Sequence, residues 1–188
     1  MFGGNNWYYG LRHAIVPAPA PVVPQCPAPV VPQCPAPIVP QYPVMTGQVG
    51  AMAILRGGPL ASGISGVVYF KDVPGGTEVC IDIAGLPSYR AAIGNESPIG
   101  PHGFHIHEFG NCSVGSSENP FQASGGHWNP TNQPHGNHAG DFPVLFSNNG
   151  RARMCFFTNK FKPVNVVGRS VIIHQNPDDY RTQPAGDS

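Results

Sequence analysis

The stretch GFHIHEFGNC, residues 103–112, decides how this chain reads. Two histidines, His105 and His107, stand one residue apart among aromatic and β-branched neighbours. In a strand, residues i and i+2 share a face, so both imidazoles aim at one point. Taken alone, a His-x-His pair is a weak metal signal. Its weight depends on what lies around it.

Working outward, the flanking sequence has one grammar from Met45 onward. QVGAMAILRG, SGISGVVYFKDV, TEVCIDIAGL, DFPVLFSNNG, RARMCFFTNKF and VVGRSVIIH are short runs rich in β-branched and aromatic residues, separated by Gly, Pro, Asn and Asp. Several alternate with period two. That pattern predicts an all-β sandwich or barrel. Residues 110–141 form a long connection, and a loop of that length inside a compact domain is usually functional.

Residues 1–44 follow different rules. PAPVVPQC, PAPVVPQC and PAPIVPQY succeed one another over residues 19–42 with a period of eight. Each proline fixes φ and removes a donor, which excludes helix and central strand and favours polyproline II. The expected organisation is a Pro-rich tail over 1–44 and one domain over 45–188. The tail reads as a semi-rigid spacer. A sharper alternative is an anchor, in which Cys26 and Cys34, at matching repeat positions, cross-link to a partner or assembly.

Composition narrows the function classes. Charged residues are 11% of the chain and the formal net charge is zero, so no basic patch points to nucleic acid. No apolar run approaches the length that spans a bilayer. No signal peptide is visible. Two locations stay open, the cytoplasm and a cell or spore surface layer. Five cysteines without a leader do not form a secreted disulfide framework.

The remaining histidines gather around the opening pair. GGHWNPTNQPHGNHAGD carries His127, His135, His138 and Asp141, with the last three residues spaced by threes in a Gly-rich turn. Three imidazoles and a carboxylate suit four-coordinate zinc. Imidazole also suits copper, and His174, at the end of the strand SVIIH, is placed to complete a set with His105 and His107.

Four motifs in this order and spacing make the chain from about Gln48 onward resemble the copper/zinc superoxide dismutase family. They are GFHIHEFGNC, GGHWNP, HGNHAGD and GRSVIIHQNPDDY. The resemblance implies a Greek-key β-barrel with both metals held by long loops. It implies copper on His105, His107, His127 and His174. It implies zinc on His127, His135, His138 and Asp141, with His127 the shared, catalytic bridge. Asp178 corresponds to a carboxylate that links the two metal sites from behind the ligands, and His102 to a structural histidine. The implied reaction is dismutation of superoxide to O2 and H2O2.

The resemblance also shows departures. The substrate-guiding arginine and last barrel strand of the family have no counterpart after residue 182, and Arg181 is displaced from the arginine's position. Three expectations follow: reduced activity, an open barrel edge, and a Cys112 left without its family partner, either free or paired with another chain. Cys80 and Cys155, inside predicted strands, read as small buried apolar residues rather than as bridge partners. Two other functions stay open. One is a non-enzymatic copper/zinc-binding module. The other is a surface-layer structural protein anchored by the repeat. A homo-oligomer is compatible with each.

Overall fold

The computed structural model describes residues 8–9, 16–18, 48–58, 61–116 and 120–182. The eight-residue repeats, with Cys26 and Cys34, lie outside the described residues.

The architecture is all-β and antiparallel, in two sheets packed on one core. The larger sheet has the order β2-β3-β4-β5-β7, from Val16–Pro17, Gln48–Arg56, Ser65–Val73, Gly76–Ala84 and Arg151–Thr158. The smaller has the order β1-β8-β6, from Tyr8–Tyr9, Ser170–His174 and Phe104–His107. No α-helix occurs among the described residues; two 3₁₀ turns cover Gln122–Ser124 and Pro163–Val166.

Alternation explains which residues go inside. Ala51, Ala53 and Leu55 of β3, Val68 and Phe70 of β4, and Val79, Ile81 and Ile83 of β5 are all buried in one cluster. The small sheet adds Phe104, Ile106, Val171 and Ile173. With period two, the residues between these core positions must face the other way. On β6 those residues are His105 and His107. They are nevertheless buried, because the long loop covers them.

One predicted strand is not formed. DFPVLFSNNG, residues 141–150, forms ladder pairs only as isolated bridges, such as His102 with Leu145. Pro143 supplies no ladder donor, and Asn149 turns the chain at φ 51°.

The reading of Cys80 and Cys155 is corrected. They are joined in a disulfide across β5 and β7, where they stand directly opposite in register. Opposed residues on neighbouring strands put their side chains on the same face. The alternation of each strand alone does not reveal that opposition. Cys112 carries a free thiol, half-buried against the core. Burial, partly offset by a hydrogen bond with Ser170, pushes it up to about 11.

The bridge spans a sequence separation of 75 residues. Closing a loop of that length in the unfolded chain stabilises a fold by about 2–4 kcal/mol. Replacing both cysteines with alanine should lower the urea midpoint accordingly. Equilibrium unfolding with and without reductant checks this, and equal midpoints would contradict it.

Candidate metal centre

The centre is built on the free edge of β6. One edge of this strand pairs with β8. The other receives the long loop twice: His107 pairs with His127, and His105 with Asp141. Trp128 N–H donates to Ile106 O at 2.8 Å, and Ile106 N–H donates to Gly140 O at 2.9 Å. Opposed residues share a face, so backbone pairing alone carries His127 and Asp141 to the side where His105 and His107 point. Gly140 permits this approach: a Cβ there would lie 2.4 Å from Ile106 O. Arg169 braces the arrangement. Its guanidinium lies 4.3 Å from the centre of the Trp128 ring and donates to Glu108 O.

Four imidazoles meet at the centre. His105, His107, His127 and His174 are all buried, each with a ring nitrogen within 4.8 Å of the others'. The outward nitrogens of three of them are already engaged. His107 Nδ1 faces Gly125 O at 2.9 Å, His127 Nδ1 faces Asp141 Oδ1 at 2.9 Å, and His105 Nε2 is hydrogen-bonded to Asp178 Oδ2. Carbonyl and carboxylate oxygens only accept, so each of these nitrogens carries the proton. The opposite nitrogens, His105 Nδ1, His107 Nε2 and His127 Nε2, are therefore lone pairs. All three are buried without a hydrogen-bond partner. Buried polar atoms normally have partners, and three lone pairs turned to one place are what a soft or borderline cation requires. The residues present fit copper.

A second grouping lies beside the first. Asp141 Oδ1 receives both His127 Nδ1 and, at 3.2 Å, His138 Nδ1. The other oxygen, Oδ2, accepts the backbone N–H groups of Gly136 and His138. Burial opposes the charge on Asp141, but the His127 hydrogen bond and the neighbouring imidazoles outweigh it and hold the carboxyl far below its usual range. His135 joins the group within 4.8 Å of Asp141, His127 and His105. His138 is reached through Asp141 rather than being part of that tightest set. Three imidazoles around one ionised carboxylate fit zinc.

Asp178 connects the two groups. Its buried carboxylate touches His105 Nε2 through one oxygen and His135 Nε2, at 3.2 Å, through the other. Tyr180 N–H holds the latter oxygen at 2.7 Å. His102 stands apart. It is fully buried, and its Nδ1 lies 3.0 Å from His174 O, anchoring the end of β8. Arg181 is exposed, and its backbone N–H is tied to Asp179. The contacts that sequence reading missed are the backbone ones, Gly125 O on His107 and the strand-like pairings of 127 and 141. No side-chain pattern signals them.

Two adjoining histidine clusters on the edge of an antiparallel β-sandwich are each able to hold a metal ion. Comparison gives the class its name. The family model described as copper/zinc superoxide dismutase (SODC) matches residues 64–188. A superoxide dismutase [Cu-Zn] of Deinococcus radiodurans is 38% identical over 142 residues, covering 66% of this chain and 72% of that relative. The Saccharomyces cerevisiae superoxide dismutase [Cu-Zn] is 37% identical over 144 residues, covering 70% and 82%. The extracellular superoxide dismutase [Cu-Zn] of Onchocerca volvulus is 31% identical over 139 residues, covering 69% and 61%. The chain belongs to the copper/zinc superoxide dismutase family.

Two predictions follow from the geometry. Asp178→Asn disturbs the carboxylate that accepts from His105 and lies 3.2 Å from His135 Nε2. It should weaken metal affinity about 10–100-fold, as losses behind the ligands do. Competition titration with a chelator measures this, and unchanged affinity would contradict the linking role. The second prediction concerns pH. Burial, then the charge of His127, lowers His107 from 6.5 to about 3 in the metal-free chain, and His105 and His174 are also well below 6.5. The unfolded chain takes up these protons first. Stability of the metal-free protein is therefore full above about pH 6.5 and falls progressively toward pH 3. Urea midpoints at pH 8, 6 and 5 should decline in that order.

Proposed function

We propose that the chain dismutates superoxide at a copper held by His105, His107, His127 and His174, beside a zinc held by His127, His135, His138 and Asp141. The observation that carries this reading is the set of three buried, unpartnered lone pairs on His105, His107 and His127. Two superoxide anions and two protons give O2 and H2O2. Copper, when bound, supplies the one-electron couple that lets one superoxide be oxidised and another reduced.

The chain's residues supply position and protons. His105 and His107 are fixed by one strand, and His174 by its neighbour. Asp141 faces Nδ1 of His127 while Nε2 of the same ring faces the four-histidine pocket. One ring thus touches both groups, which is what a bridging ligand must do. Its Nε2 is the atom at which a proton can be held and passed on. Asp178 keeps His105 and His135 aligned from behind.

The test is superoxide decay by stopped flow on the purified chain loaded with one equivalent each of copper and zinc. Turnover should exceed that of chelated copper, and His107→Ala should lower it by at least about 100-fold. Full loading without turnover would overturn the enzymatic reading and leave a copper/zinc-binding module.

A further inference from the structure

His107 turns Nε2 to the four-histidine pocket and keeps its proton on Nδ1. That proton has two oxygens within reach. Gly125 O lies 2.9 Å from Nδ1, and Ser124 Oγ lies 3.3 Å from it. Ser124 belongs to neither ligand set, yet it is 1% exposed and stands directly behind the ring.

The direction of the Ser124 hydroxyl follows from its surroundings. Oγ is 2.7 Å from Phe121 O and 3.4 Å from Gly125 O. Carbonyl oxygens only accept, and the nearer one takes the hydroxyl proton. A lone pair of Oγ is left facing His107, whose Nδ1–H only donates. The imidazole proton is therefore shared between a carbonyl and a hydroxyl oxygen.

The local turn does not need this hydroxyl. The 3₁₀ turn Gln122–Ser124 is closed by backbone groups alone: Ser124 N–H donates to Phe121 O at 2.8 Å, and Phe109 N–H donates to Ser124 O at 2.8 Å. Gly125 then turns the chain at φ 75°, where a Cβ would lie 2.7 Å from Glu108 Oε2. These contacts fix Ser124 in place whether or not it carries an oxygen. What the oxygen adds is its contact with His107.

We propose that the Ser124 hydroxyl is a positioning group for His107. Together with Gly125 O it fixes the plane of the ring and draws on the Nδ1 proton, which makes the Nε2 lone pair more basic. The inference rests on the reading of His107 as a copper ligand. Hydrogen bonds behind a ligating histidine raise its basicity and tune the metal, and a more basic ligand favours Cu(II) over Cu(I). Ser124 thereby helps to set the balance between the two oxidation states that dismutation alternates.

Ser124→Ala and Ser124→Thr in the full-length chain test this. In protein loaded with copper and zinc, a redox titration followed by the Cu(II) EPR spectrum reads the balance. Ser124→Ala should shift it toward Cu(I) by about 3–10-fold, a tenfold change being about 59 mV for one electron. Ser124→Thr, which keeps the hydroxyl, should stay within about twofold of the parent. In the metal-free chain, the His107 Nδ1 proton, followed by NMR, should exchange with solvent at least about threefold faster in Ser124→Ala. A fully loaded Ser124→Ala chain with unchanged balance overturns the proposal. So does a Ser124→Thr chain that shifts as far as Ser124→Ala, since packing and not the hydroxyl would then be responsible. Parent copper that shows no imidazole coordination overturns instead the reading on which the inference rests, and proton exchange in the metal-free chain then decides whether Ser124 holds His107.

Discussion

The free edge of β6 is the constraint on which the centre depends. A four-residue strand has one side committed to β8 and the other to the loop that returns at 127 and again at 141. The two returns are backbone hydrogen bonds, so they fix side-chain direction without using any side chain. Imidazoles from three distant places in the sequence then face each other. The cost is severe if nothing fills the space, because lone pairs are buried without donors. That imbalance makes the apo pocket a poor resting arrangement and a good receptor for cations.

The same economy runs through the surrounding contacts. Asp178 serves both pockets with its two oxygens. Asp141 gathers two histidines on one oxygen and two backbone amides on the other. Neither carboxylate can be altered without disturbing more than one ring.

Much of this was legible beforehand, for physical reasons. Alternation in 48–57, 62–73 and 151–161 marks strands because one face is buried more than the other, and 77–86 reads as a strand by its β-branched run although both its faces are buried. His105 and His107 declare a shared face by their spacing alone. The sets that include His127, His135, His138, Asp141 and His174 were legible through motif order. What stayed hidden depends on pairing between strands. Cys80 and Cys155 are bonded because of register, which no single strand reveals. The role of Asp178 was legible only through the family resemblance, since its contacts with two rings depend on how the chain beyond β8 packs. The pairings of Tyr8 and Val16 were obscured by their composition, since a proline beside a Pro-rich repeat reads as the opposite of sheet.

The pairing of Tyr8 with His174 has a consequence for how the protein is made. Tyr8 is made long before its partner His174. Until residue 174 has cleared the exit tunnel, the N-terminal segment must wait beside a growing and incomplete sheet. Local hairpins such as β3–β4 and β4–β5 can form in the meantime, since domains fold as their parts appear. The pairing at His174 therefore waits on the synthesis of β8, and loading of the centre through His174 cannot precede that strand.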